Sequence, residues 1–289
     1  VRDKQPEVAS GLPIFVPLLK KTNMSRIINS LQNPLIKRVA LLTEKARERK
    51  RQQTIVAEGL REVGLALKAG FQAEYLFYDE TCTSPEALDE LLALAIREQG
   101  EVVAVSTAVM EKIAYRAGVP NVVALLQRRD IRLSEIQLSP NPLVLVLETV
   151  EKPGNLGAML RTADAAGADA VIVCDPMVDE YNPNVIRSSL GAIFSVKLVT
   201  TEAQPALDWL HRHGIQVLST YLDASVPYYS CDLRRPTAFV MGSEAHGISD
   251  FWVREAQQRI IIPMQGEVDS LNVSASAAIV LFEALRQRT

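Results

Sequence analysis

The chain has 289 residues, long enough for two domains of ordinary size, with 48% hydrophobic and 22% charged residues and a formal charge of −3. That balance is typical of a globular protein with a substantial core, and bulk charge alone gives no reason to expect nucleic acid. No apolar run reaches the roughly eighteen residues of a membrane span. Cys82, Cys174 and Cys231 lie far apart, and His211, His213 and His246 are too few and too scattered for a metal centre. This usage argues against a disulfide framework and a zinc site and fits a reducing cytoplasm.

Residues 1–23 carry a short apolar patch after charged residues and are expected to form a poorly ordered extension before Met24. Between Lys20 and Arg51 ten Lys/Arg stand against two acids, Glu44 and Glu48. Such a run neutralises phosphates even in an acidic chain, or it is simply a solvated helix face. Within it, "NPLIKRVALLTEKARERKRQ" predicts one basic helix, with Leu35, Val39 and Leu42 three or four apart. Next come "TIVAEG" as a strand, "LREVGLALKAG" as a helix ended by Gly70, "AEYLFYD" as a strand and "PEALDELLALAIREQG" as a helix ended by Gly100. "EVVAVS", the helical "TAVMEKIAY" and "NVVALLQ" complete a small α/β unit over 24–127.

Residues 128–141, rich in charge, Ser and Pro, read as a linker. A second alternating unit fills 142–289, with strands "LVLVLE", "AVIVCD", "SVKLVT", "IQVLST", "TAFVMG" and "RIIIPM" and a last helix "SASAAIVLFEALRQR". Strands this short and apolar suit a parallel sheet covered on both faces.

Three stretches of this unit fall where strands end, the usual ligand edge of open α/β sheets. In "EKPGNLGAMLRTADAA" the glycines stand three apart, which fits neither a dinucleotide fingerprint nor a phosphate loop. It reads as a glycine turn before a small-residue helix (Ala158, Ala163, Ala165, Ala166) on which Arg161 points inward. A buried charge needs a partner, so Arg161 is a candidate functional group. "FVMGSEAHGISD" brings Gly242, Glu244 and Gly247 to the end of a strand. "IIIPMQGEVDSLNVSASAA" leads from Pro263 through Ser270, Asn272 and Ser274 into a helix, for which Ser270 or Asn272 could be no more than an N-cap. The missing glycine spacing and acidic ribose clamp also exclude a nicotinamide-dependent dehydrogenase.

Taken together, "GNLGAMLRTA", "GSEAHG" and "SLNVS" resemble, in order, the signature motifs of the SpoU/TrmH-type RNA ribose 2′-O-methyltransferases of the SPOUT superfamily. "IRSSLGAIFSV" looks like a further family segment. The stretches "INSLQNPLIKRVALL" and "VAEGLREVGLALKAG" are similar to the family's ribosomal-protein-like substrate-binding domain, where relatives often carry "VEG" in place of "AEG". The resemblance implies an α/β trefoil-knot domain preceded by a smaller α/β RNA-binding domain, and a homodimer. It implies S-adenosylmethionine held by backbone groups at Gly242, Ile262 and Leu271, with Met241 and Met264 beside them. It also implies that Arg161 activates the ribose 2′-OH. A guanidinium stays protonated, so Arg161 is expected to bridge the 2′-oxygen and a phosphate and to stabilise developing charge. Asn155 would orient it or the substrate, Glu244 would fix its geometry or contact the nucleotide, and Ser270 and Asn272 would hydrogen-bond phosphate and ribose.

The expected RNA contacts are Lys37, Arg38, Lys45, Arg49 and Arg51. The ribosomal-protein-like domain favours 23S ribosomal RNA over tRNA. A tRNA methyltransferase and a non-catalytic RNA-binding protein are the alternatives, the second opposed by the intact Asn155, Arg161, Glu244, Ser270 and Asn272. No metal and no membrane contact are expected.

Overall fold

The computed structural model describes residues 27–79, 81, 85–115, 120–223, 225–267 and 270–289. The expected extension 1–23, the basic residues Lys20, Lys21 and Arg26, and Cys82 lie outside the described residues.

Helix α1 (Pro34–Glu44) opens with Pro at its first position and with Asn33 as its cap, the Asn33 Oδ1 accepting from the Leu35 amide at 2.9 Å. It buries Ile36, Val39 and Leu42. The single basic helix expected over 33–52 is instead two: Lys45 is extended (φ −110°, ψ 106°), and α2 (Ala46–Gln52) follows it. This break lets Arg49 turn back on α1. Its Nη1 donates to the carbonyls of Leu42 (2.7 Å) and Thr43 (3.1 Å), which a helix end otherwise leaves open. Its Nε donates at 2.8 Å to Asp179 of the second unit.

The first unit continues with β1 (Thr54–Glu58), α3 (Leu60–Lys68), β2 (Ala73–Tyr78), α4 (Pro85–Arg97), β3 (Glu101–Ala104), α5 (Thr107–Ile113) and β4 (Val122–Gln127). Its sheet has the order β1-β4-β2-β3; β4 runs antiparallel to β1 and β2, and β3 runs parallel to β2. Residues 128–141 carry a single 3₁₀ turn (Leu133–Glu135), after which Ile136 is buried against the second unit.

The second unit comprises β5 (Leu143–Glu148), α6 (Pro153–Ala165), β6 (Ala170–Cys174), α7 (Pro183–Ser188), β7 (Leu198–Thr201), α8 (Ala203–Arg212), β8 (Gln216–Thr220), β9 (Val226–Pro227), β10 (Thr237–Met241), α9 (Asp250–Glu255), β11 (Gln258–Ile261) and α10 (Val273–Arg288). The strands form one parallel sheet of order β7-β6-β5-β10-β8-β11-β9. Every residue of β5, β6 and β10 is buried, the burial that a sheet covered on both faces demands. The short edge strand β9 had no signal in the sequence.

The two units share one hydrophobic cluster. Phe71 of the first meets Phe194 edge-on at 5.0 Å between ring centres, and Tyr181 at 6.5 Å. Gly191, at φ +83°, lies so close to α3 that a Cβ there would stand 2.8 Å from Leu65 Cδ1 and 3.2 Å from Glu62 Cα. Among the described residues, no helix is long and apolar enough to cross a membrane.

Candidate active site

The site is built from three loops at the carboxyl edge of the large sheet. After β10 the chain makes a tight loop in which the Ser243 amide donates to the Gly247 carbonyl at 2.9 Å and the Gly247 amide returns a bond to Ser243 at 3.0 Å. Glycine is required at 242, because a Cβ there would lie 2.0 Å from the Gly247 carbonyl. The far end of the loop is tied down by Ser249, whose amide and hydroxyl both donate at 2.7 Å to the buried Glu148 carboxylate at the end of β5. This loop presents Glu244.

The second element is α6. Its helical residues begin at Pro153, so Gly154 and Gly157 lie in the first turns of the helix and not in a turn before it, which corrects the sequence expectation. Gly157 has a packing reason: a Cβ there would stand 1.9 Å from Ser188 Oγ and 2.7 Å from the Val185 carbonyl, so α6 and α7 meet backbone to backbone. The third element is the start of α10. Asn272 does cap it, its Oδ1 accepting from the amide and hydroxyl of Ser274 at 3.0 and 2.5 Å. Its amide nitrogen remains available for the site.

These elements converge on Glu244. Asn155 Nδ2 and Asn272 Nδ2 each donate to Glu244 Oε1 at 2.7 Å, and Asn272 Nδ2 also reaches Asn155 Oδ1 at 3.3 Å. Lys152 forms an ion pair with Glu244 Oε2. The Lys152 hydrogen bond, followed by that of Asn155, holds the Glu244 carboxyl below its usual range. The starts of α6 and α10 thus share one carboxylate, carried by the loop after β10. Lys152 escaped sequence reasoning; its only signal is its place directly before the Pro-Gly-Asn start of α6.

Beside this cluster lies a cavity of about 740 Å³. Met241, Gly242, Ile262, Met264 and Leu271, the five expected cofactor positions, all line it, as do Glu244, Ser270 and Asn272. Thr220 to Asp223 line it too and were not singled out in the sequence, although the end of β8 at the same sheet edge was the available signal.

Arg161 is placed differently from the expectation. The buried face of α6 is Leu156, Gly157, Met159, Leu160 and Ala163, and Arg161 is exposed. Among the described residues it makes no hydrogen bond or ion pair, and Glu244 is engaged by Lys152, Asn155 and Asn272 rather than by Arg161.

Of the expected RNA contacts, Lys37 and Lys45 are exposed. Arg38 is held by both oxygens of Glu74 at 2.6 and 2.8 Å and by Gln52, and Arg51 is held by Glu48. Arg49 is 1% exposed and bonded to Asp179, which corrects its assignment to an RNA-facing set. Among the described residues, no group of three or more His, Cys, Asp or Glu could hold a metal ion.

Comparison with known proteins places the chain in a family. Residues 142–282 match the SpoU rRNA methylase family and residues 33–124 an MRM3-like substrate binding domain. An uncharacterised tRNA/rRNA methyltransferase of Synechocystis is 34% identical over 90% of this chain and 94% of its own length. A Bacillus subtilis 23S rRNA (guanosine-2′-O)-methyltransferase is 30% identical over 88% of this chain and 97% of its own. An AdoMet-bound rRNA methyltransferase structure from Sinorhizobium meliloti superposes with a TM-score of 0.83 at 31% identity, covering 90% of this chain and 97% of that one. The chain belongs to the SpoU rRNA methylase family. It is an RNA methyltransferase that uses S-adenosylmethionine. The cavity suits that cofactor: its volume is that of a small-molecule site, and its lining combines apolar Met241, Ile260 and Ile262 with the carboxylates of Asp223 and Glu244.

Proposed function

We propose that the protein methylates a ribose 2′-OH of 23S ribosomal RNA, with the Asn155–Glu244–Asn272 cluster organising the reacting end of the cavity. The carrying observation is the shared carboxylate: both asparagines donate to one oxygen of Glu244 at 2.7 Å, from the first turn of α6 and the cap of α10, 89 and 28 residues distant in sequence. Fixing three loops in this way preorganises the site and leaves little motion to be arrested when RNA arrives.

S-adenosylmethionine supplies an electrophilic methyl group on a sulfonium. The chain's own residues must then align the ribose and stabilise charge on its 2′-oxygen. Arg161 is assigned the second task, bridging the 2′-oxygen and a neighbouring phosphate; its exposure and lack of a partner leave its donors available. Ser270 and Asn272 are assigned to phosphate and ribose, and Gly242, Ile262 and Leu271, with Met241 and Met264, to the cofactor. Lys37 and Lys45, with Arg38 and Arg51 behind their ion pairs, are assigned to RNA.

The assignment extends to a homodimer with a threaded C-terminus, working in the cytoplasm as two domains, 24–127 and 142–289. Supporting the dimer, Phe282 on α10 is 46% exposed. Supporting the threading, residues 270–272 return to the cavity wall beside 242–248, and Asn272 at the start of α10 reaches Asn155 on α6. The substrate is tied to ribosomal RNA by the substrate-binding domain and by the ribosomal RNA activities of relatives that match nearly the whole chain. Arg161→Ala is expected to abolish transfer of labelled methyl to 23S rRNA while calorimetric S-adenosylmethionine binding stays intact. Unchanged turnover in that variant removes Arg161 from the mechanism.

A further inference from the structure

Two further cavities, of about 350 and 530 Å³, flank the edge strand β7 and meet at Asp130, Ile131 and Thr200. Their walls come from the end of α2, residues 128–136, Glu180 and Tyr181, β7 and the end of α8, and carry five lysines or arginines against two carboxylates, in a chain whose net charge is −3. Arg128 is structural: its side chain is 6% exposed, it pairs with Asp130, Glu180 and Asp179, and it stacks on Tyr181 at 5.0 Å. Its one positive charge is shared among these carboxylates, and the lining as a whole still carries a surplus of three cations.

The other four, Lys50, Arg129, Arg132 and Arg212, are exposed, and among the described residues none pairs with a carboxylate. The backbone beneath two of them is pinned, Arg129 through its carbonyl to the Tyr181 hydroxyl at 2.7 Å and Arg132 through its amide to Glu135 at 2.9 Å. Like charges held together on a fixed frame repel one another unless an anion lies between them. Four cations strung across two joined cavities match a polyanion better than one small ion.

We propose that this groove is a second RNA-docking surface, taking backbone phosphates of the substrate RNA away from the reacting ribose. It rests on the RNA methyltransferase assignment. Strand β7 is three strands from β10, roughly 14 Å at ~4.8 Å per strand, so the groove grips flanking RNA and not the methylated nucleotide. Lys50 belongs to the basic helix region, where Arg38, Arg49 and Arg51 are paired with carboxylates, and Arg129, Arg132 and Arg212 join it only on folding.

The test replaces Lys50, Arg129, Arg132 and Arg212 together by glutamine. Affinity for transcribed 23S rRNA is measured across a salt series. A second quadruple variant, Lys68→Gln, Arg97→Gln, Lys112→Gln and Arg286→Gln, controls for net charge. The groove variant is expected to bind at least about tenfold more weakly at low salt, with a log–log salt slope smaller by roughly 3. S-adenosylmethionine binding should be unchanged, and the KM for RNA should rise with little change in kcat. Equal losses in both variants, or a wild-type slope in the groove variant, overturn the proposal and leave the methyltransferase assignment standing. An unsubstituted protein that neither binds nor methylates 23S rRNA overturns the ribosomal RNA assignment and, with it, the groove.

Discussion

Arg49→Met separates a structural arginine from an RNA contact. In the folded chain Arg49 and Asp179 are 1% and 4% exposed at the side chain, and the pair spans the two units at 2.7 Å. The substitution also removes the donors that cap the Leu42 and Thr43 carbonyls. Asp179 would keep only Arg128 Nη1 at 3.5 Å and the Tyr181 amide at 3.3 Å. Removing one partner of a buried pair costs about 3–5 kcal/mol, because the other charge stays buried without compensation. For a chain of this size that lowers the melting temperature by roughly 6–20 °C. Urea titration of the two proteins measures the loss directly, and Arg49→Met combined with Asp179→Asn should recover part of it. A loss under about 1 kcal/mol accompanied by a tenfold drop in RNA affinity would refute the structural role and return Arg49 to the RNA-facing surface.

Further expectations concern the active-site frame. Gly157→Ala, which would stabilise an exposed helix by about 1 kcal/mol, should instead destabilise, because its Cβ meets Ser188 Oγ at 1.9 Å and the Val185 carbonyl at 2.7 Å; thermal unfolding gives the sign. Lys152→Met removes the leading cause of the low Glu244 pKa. The ionised Glu244 that gathers Asn155 and Asn272 persists above its depressed pKa and is lost as pH falls through it. The acid limb of kcat/KM should therefore move to higher pH in Lys152→Met and return with Lys152→Arg, while an unmoved limb dissociates Lys152 from Glu244. Cys174 is buried, and burial pushes its thiol up to about 12, so a thiol reagent at neutral pH should label it only on unfolding.

Much of the fold was legible because the physics that sets it is local. Each of the runs "LVLVLE", "AVIVCD" and "TAFVMG" is bounded by turn residues and too apolar for a half-exposed strand, and each became a fully buried parallel strand. The loop at 242–248 could be located because it follows such a strand, and that at 270–272 because it lies between the apolar run before Pro263 and the last helix. What the sequence hid depends on distant partners. The inward turn of Arg49 requires Asp179, 130 residues away. The exposure of Arg161 follows from which face of α6 packs on α7, a choice settled by Gly157 against Ser188. Lys152 matters only because Glu244 is folded next to it from 92 residues away.

The central claim is tested most directly by incubating the protein with methyl-labelled S-adenosylmethionine and unmodified 23S rRNA, then digesting the RNA to nucleosides. Label in a single 2′-O-methylnucleoside, lost in Arg161→Ala, is the expected result. Label on a base, or none in RNA that the protein binds together with the cofactor, would contradict it.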